Sequence, residues 1–232
     1  MQLSTGIRQL ADPWWQASFN HPFVQGIADG RLAPEKFRRY LIQDRYYLTA
    51  FADLHGQAAQ LTTAQPLHDL LQAAADGLAD GEAQVRAMFF EQLAITPQEI
   101  ARNPMAPTTT AYISHMQAQV ASHDVAVILA GLLPCSWLYL EIGERLIAHS
   151  SPVPEYAQWI ATYAAPELKT TVQAYRDFLD SLTVNQAQAA QIKRAFLLSS
   201  IYELNFWQMA WTNEQWPLAD QHLPALEEVL YG

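Results

Sequence analysis

Three side chains stand among neighbours of the opposite character, and the first is Glu203. It is the one charged residue between Ala195 and Trp211, in the run AFLLSSIYELNFWQMAW. A carboxylate carried into apolar surroundings needs donors or a ligand, and desolvation lifts its pKa toward the range useful for proton transfer. Two readings are open: a buried acid, or a residue on a narrow wet stripe with Ser199, Ser200 and Gln208. The second is Cys135, within Leu132-Leu133-Pro134-Cys135-Ser136-Trp137-Leu138-Tyr139. A lone cysteine on an apolar helix is commonly an inert core residue, whereas a thiolate is a strong nucleophile. Pro134 removes a helical hydrogen bond beside it, and Tyr139, one turn on, shares its face. The third is Asp44, with Tyr47 close by. Helical geometry puts Asp44 on an aromatic face and turns Arg45 about 100° away toward solvent. An ion pair with an arginine of a neighbouring helix is the alternative use of Asp44.

Other chemistries lack their residues. No Glu-x-x-His, His-x-x-x-His or Cys-x-x-Cys occurs, and neither a phosphate-binding glycine loop nor a Gly-x-Ser-x-Gly is present. The seven histidines (His21, His55, His68, His115, His123, His149 and His222) are scattered and read as surface or satisfied helix residues. Cofactor-free chemistry is the expectation, although spacing alone leaves open a single haem-ligating histidine.

Composition narrows the class. Of 232 residues, 16% are charged and 50% hydrophobic, with 7 Trp, 10 Tyr and 9 Phe, so the chain folds around a sizeable core rather than staying solvated. A formal net charge of -10 argues against nucleic acid as a partner. The single cysteine makes no internal disulfide, and the first residues, broken by Arg8 and Asp12, lack the core of a signal peptide; a cytoplasmic location is expected. Val125 to Leu140 is uncharged but falls short of the roughly 20 residues of a spanning helix, and reads as a buried helix. Trp14, Trp15, Trp159, Trp211 and Trp216 hint at subunit contacts, where aromatics are enriched.

The elements that must position these side chains are helices. Asn20 is expected to cap a short helix entered at Pro22 and stopped near Gly30, and Pro34 to open a long one reaching about Leu61. That helix lines up Phe37, Tyr40, Leu41, Asp44, Tyr47, Leu48 and Phe51 at three- and four-residue spacings. A second long pattern spans Thr63 to Leu93, and Thr96-Pro97-Gln98-Glu99 has capping-box spacing. Arg102 to Thr110 reads as a loop. Helices are expected from Thr110 to Ser122, from Asp124 to His149, from Pro154 to Val184 with a break near Pro166, and from Asn185 to Asn213, with a shorter packed tail around Pro217 and Pro224. The result is an all-α, single-domain bundle of seven or eight helices over residues 1–232.

The anomalies fall within stretches that resemble the TenA family (thiaminase II, or aminopyrimidine aminohydrolase). These are His21-Pro22-Phe23-Val24, Phe37-Arg38-Arg39-Tyr40-Leu41-Ile42-Gln43-Asp44, Ala111-Tyr112-Ile113-Ser114-His115-Met116, Leu133 to Tyr139, and Tyr202-Glu203-Leu204-Asn205-Phe206-Trp207. None is specific alone; their order and spacing carry the likeness along the whole chain. It implies a haem-oxygenase-like fold without haem, a homotetramer, and thiamin salvage: hydrolysis of 4-amino-5-aminomethyl-2-methylpyrimidine to the hydroxymethyl pyrimidine and ammonia, with cleavage of thiamin as a further activity. By matched motif, Cys135 is the implied nucleophile, Asp44 holds the amino group and adjacent ring nitrogen, and Glu203 moves protons. Tyr47 and Tyr139 flank the ring, with Tyr112 and Tyr163 adding phenol hydrogen bonds. The chain departs from the family at Arg86, where histidine is frequent, and has tyrosine at Tyr47 where phenylalanine also occurs; Cys135 sets it with the cysteine-bearing branch. Two alternatives are a regulatory or binding protein and a related enzyme of the pyrroloquinoline quinone type, whose polyanionic substrate calls for several His and Arg side chains.

Overall fold

The computed structural model describes residues 2–149 and 151–217, without the side chains of 80–87 and 149. In chain order these form α1 (Leu3–Phe19), α2 (Pro22–Asp29), α3 (Pro34–Leu61), α4 (Gln65–Gln92), α5 (Pro97–Ala101), α6 (Pro107–Val120), α7 (Val125–Leu146), α8 (Pro154–Tyr163), α9 (Pro166–Ser181) and α10 (Gln186–Thr212). A 3-10 turn, Ile147–His149, follows α7. No strand occurs among the described residues, so the expected all-α class is found. The Arg86 side chain and the tail beyond Pro217, Pro224 included, lie outside the described residues.

Proline sets most helix starts. It stands at the first or second position of α2, α3, α4, α5, α6, α8 and α9, where its fixed φ suits the first turn and its missing N–H is no loss. This rule corrects one expectation: Pro107 begins α6 inside the segment Arg102 to Thr110 read as a loop. A second correction concerns α2, whose cap is His21 rather than Asn20. His21 Nδ1 accepts from the Phe23 N–H at 3.2 Å, which leaves Nε2–H to donate to Gln208 Oε1 at 3.0 Å. Asn20 instead closes α1. Gly30 ends α2 at φ +69, and a Cβ there would lie 2.6 Å from Pro152 Cγ. Asp124 caps α7, accepting from the Ala126 and Val127 N–H groups at 3.0 and 3.2 Å.

α7 is the axis of the protein. It packs against α3, α6, α8, α9 and α10, and burial reaches nearly all its faces, as a helix apolar all round requires. Its 22 residues are long and apolar enough to cross a membrane, yet 83% of the apolar window is buried inside the protein. α3 lies beside α4 and α6, and α10 beside α1, α6 and α7. Two of the tryptophans read as subunit contacts belong to this core instead: Trp15 and Trp159 are buried. The Trp15 indole donates to Ser200 Oγ at 3.0 Å and lies 5.6 Å from the Trp137 ring. Trp14 and Trp211 are half-buried, and Trp216 is 48% exposed.

Candidate active site

Five helices bring all seven expected residues together. α3 presents Tyr40, Asp44, Tyr47 and Phe51 along one face, since residues three and four apart are neighbours on a helix. α7 supplies Cys135 and, one turn on, Tyr139; α6 supplies Tyr112, α8 ends on Tyr163, and α10 carries Glu203. Next to Asp44, the buried Gln43 pins the entry to α6: it donates to the Pro104 carbonyl at 2.9 Å and accepts from the Ala106 N–H and the Thr109 hydroxyl at 2.8 and 3.0 Å. Tyr112 is thereby held at a fixed distance from the α3 face.

Glu203 is 2% exposed, which decides between its two readings in favour of the buried acid. Of its supposed companions on a wet stripe, Gln208 is exposed but the two serines are buried: Ser199 donates to the Gly131 carbonyl at 2.7 Å and Ser200 to the Phe196 carbonyl at 2.9 Å. The Tyr112 hydroxyl donates to Glu203 Oε1 at 2.7 Å, and the Cys135 thiol is hydrogen-bonded to the same carboxyl. Burial pushes the Glu203 pKa up to about 8; the Tyr112 bond pulls it back, the Asp44 charge raises it again, and the Cys135 bond lowers it. The thiol, 8% exposed, therefore shares a hydrogen bond with an acid that holds its proton at neutral pH.

Around this pair the walls are aromatic. The Tyr47 ring lies 4.9 Å from Tyr112 and 5.8 Å from Phe206. Tyr139 lies 4.6 Å from Tyr163 and 5.0 Å from Trp207. Burial raises the phenol pKa of Tyr47, Tyr112 and Tyr139 well above normal, so all three stay protonated as donors. The half-buried Asp44 is close enough to raise the pKa values of Tyr40, Tyr139 and Glu203. Glu203 thus keeps its proton beside the thiol, while Asp44 adds a second carboxyl to the same site. Among the described residues no group of three His, Cys, Asp or Glu side chains is placed to hold a metal ion.

Sequence reasoning missed Phe206, Trp207, Tyr40 and Gly143 as parts of this site. The first two lie one turn beyond Glu203, and Tyr40 one turn before Asp44, so helical spacing was an available signal. Gly143 is one turn beyond Tyr139, on the face of Cys135. A Cβ there would fall 2.5 Å from the Tyr163 carbonyl carbon and 2.6 Å from the Ala164 nitrogen. Only a glycine lets the end of α8 close onto α7 and set Tyr163 against Tyr139. Gly143→Ala is expected to lower stability by about 1–2 kcal/mol through overpacking, although alanine is the better helix former. Thermal unfolding reads the sign, and catalytic efficiency should fall about tenfold as Tyr163 moves. A stabilised variant with full activity would contradict this packing role.

The comparisons agree with this architecture. The sequence profile described as "TENA/THI-4/PQQC family" matches residues 8–213. The chain is 37% identical to the "Aminopyrimidine aminohydrolase" of Bacillus subtilis (strain 168), over 98% of this chain and 97% of that protein. It superposes with a TM-score of 0.85 on the "TenA homologue protein from P.horikoshii OT3", at 27% identity, covering 91% of this chain and 99% of the other. A Shewanella denitrificans domain of unknown function with a heme oxygenase-like fold matches with a TM-score of 0.72 at 11% identity, over 92% and 93% of the two chains, a likeness of fold alone. With the profile spanning most of its length, this chain belongs to the TENA/THI-4/PQQC family.

Proposed function

We propose that the protein is a cofactor-free aminopyrimidine hydrolase of thiamin salvage, acting on 4-amino-5-aminomethyl-2-methylpyrimidine through Cys135, with thiamin as a second substrate. The observation that carries this reading is the Cys135 thiol hydrogen-bonded to a buried, protonated Glu203 that Tyr112 also holds. An aminopyrimidine ring resists nucleophiles until a ring nitrogen is protonated, and a neutral carboxylic acid beside the nucleophile supplies that proton. In the proposed path the Cys135 sulfur bonds to a ring carbon while Glu203 relays the thiol proton to a ring nitrogen. The electron pair in the dearomatised ring expels the substituent amine, which takes that proton and leaves as ammonia. Water then adds to the exocyclic methylene, giving hydroxyl to carbon and a proton to the ring. Finally the carbon–sulfur bond breaks, the proton returns to the thiol through Glu203, and the ring is aromatic again.

Asp44 would accept from the substrate's exocyclic amino group, while the Tyr47 and Tyr139 rings enclose the flat heterocycle and exclude water. Supporting the substrate class, the site offers carboxyls and phenols, which suit an amine; the pyrroloquinoline quinone type of substrate would need clustered cations instead. The proposal extends to a cytoplasmic homotetramer, supported by the single cysteine and by Trp14, Trp211 and Trp216, which are not fully buried. Incubating the purified protein with the aminomethyl pyrimidine should release ammonia and hydroxymethyl pyrimidine in equal amounts, read by chromatography, with thiamin run in parallel. Absence of hydroxymethyl pyrimidine from both incubations would reject the proposal.

A further inference from the structure

We infer that Tyr40 is a positioning residue: its buried hydroxyl ties the Tyr139 and Tyr163 phenols into one unit that fixes the aromatic wall beside Asp44 and Cys135. This rests on the reading of the site as the place of aminopyrimidine chemistry, but its geometry stands apart from any substrate. Tyr40 is 0% exposed. Its ring is wedged between rings from four helices: Phe23 at 5.3 Å, Phe37 at 6.1 Å, Trp159 at 6.1 Å, Phe206 at 6.0 Å and Trp207 at 5.6 Å. A ring packed on so many sides has little room to turn, which restrains the position of its oxygen. That oxygen lies 3.2 Å from the Tyr139 hydroxyl and is hydrogen-bonded to Tyr163 as well. Tyr139 is one turn from Cys135 on α7, and Asp44 one turn from Tyr40 on α3, so the unit spans the gap between nucleophile and carboxylate.

The alternative is that Tyr40 only fills the core. Phenylalanine would then serve equally well, because the surroundings of the ring are apolar and only the oxygen meets polar groups. Without that oxygen, the buried Tyr139 hydroxyl and the half-buried Tyr163 lose a partner, and Tyr139 must turn to another acceptor, with the Glu203 and Asp44 carboxyls both close enough to act on it. Turning toward Glu203 competes with the thiol for that carboxyl and so slows the chemical step.

Tyr40→Phe is tested by activity and by crystallography. The expected result is a kcat lowered about tenfold with KM changed less than about threefold, since the groups that bind substrate are still present. Combined with Tyr139→Phe, the Tyr40 change should cost less than about twofold more, because both remove ends of the same bond. The crystal structure of Tyr40→Phe should show the Tyr139 and Tyr163 hydroxyls displaced. Activity within about twofold of wild type, strictly multiplicative losses in the double variant, or unmoved tyrosines would each overturn the inference. If Tyr40→Phe does not fold, the crystal structure of Tyr139→Phe decides instead through the position of Tyr163: displacement supports the tie and an unmoved Tyr163 refutes it. A wild-type protein inactive on aminopyrimidines would defeat the functional proposal alone, since the two structures still decide whether Tyr40 fixes the wall.

Discussion

Glu203→Gln is expected to stop turnover and to make the protein more stable above neutral pH. Glutamine keeps the shape of the side chain and an acceptor for the Tyr112 hydroxyl, but has no proton to give, so the rate should fall on the order of 10²–10⁴-fold. The stability change follows from the raised pKa. At pH below the ordinary carboxyl value of 4.5, Glu203 is protonated whether the chain is folded or not, and it costs the fold nothing. As pH rises from there toward about 8, the unfolded chain ionises and is favoured while the folded one holds its proton, so stability is lost progressively across that window. At about 1.4 kcal/mol per pKa unit, the displacement amounts to on the order of 4 kcal/mol at the alkaline end. Glutamine removes this dependence. Its melting temperature should match that of wild type near pH 4.5 and exceed it at pH 8 by on the order of 10 °C, given about 2–4 °C per kcal/mol for a chain of this size. Equal melting temperatures at both pH values would mean that Glu203 is ionised in the folded protein.

Cys135→Ala is the second large effect, and it separates chemistry from binding. Loss of a nucleophile that no other group replaces should lower kcat by on the order of 10³-fold or more. The affinity for the hydroxymethyl pyrimidine, measured by calorimetry, should stay within about threefold, because Asp44 and the aromatic walls are untouched. Deleting one buried sulfur costs about 1 kcal/mol of stability, too little to unfold the chain. The variant also loses the thiol's hydrogen bond to Glu203, one of the contacts holding that pKa down, so the remaining acid should titrate higher than in wild type. Thiol and carboxyl therefore behave as a coupled pair whose pH profile belongs to both. Retention of wild-type turnover by the alanine variant would assign Cys135 to the core and leave the proposed addition without a nucleophile.

The polar residues of this site were legible in the sequence because so little else in the chain is charged. Glu203 stands out in an apolar run, and its burial follows from the company it keeps. Helical spacing set Cys135 on the face of Tyr139 and Asp44 on that of Tyr47, but their roles came only from the resemblance to the TenA family. Helix starts were readable at Pro22, Pro34, Pro154 and Pro166, but not at Pro107, which lay in a proline-rich stretch read as a loop. The cap of α2 was misread because histidine is an uncommon cap, and its ring nitrogen acts as an acceptor only while neutral, a state that burial favours by lowering its pKa.

What the sequence could not reveal depends on contacts between distant segments. Gly143 looks like a weak point in an apolar helix until the end of α8 is seen lying against it, and the identity of the neighbour is decided by the packing of α7 on α8. Tyr40 is one aromatic among many on its face, and only the proximity of Tyr139, 99 positions away in the chain, shows why a phenol stands there. Trp15 and Trp159 read as surplus aromatics because a count cannot tell that α7 needs rings on several sides. In each case residue type and local spacing were known, and the missing information was which helix came to meet it.

The proposed chemistry turns on the protonation state of Glu203, and infrared difference spectroscopy measures it directly. Spectra of wild type against Glu203→Gln, collected between about pH 5 and pH 10, isolate the carbonyl stretch of this one carboxyl. A protonated carboxyl band present at neutral pH and titrating away with a midpoint near 8 is the expected result. A band already absent at neutral pH, with its midpoint near the ordinary value of 4.5, would contradict the proton-donor role of Glu203.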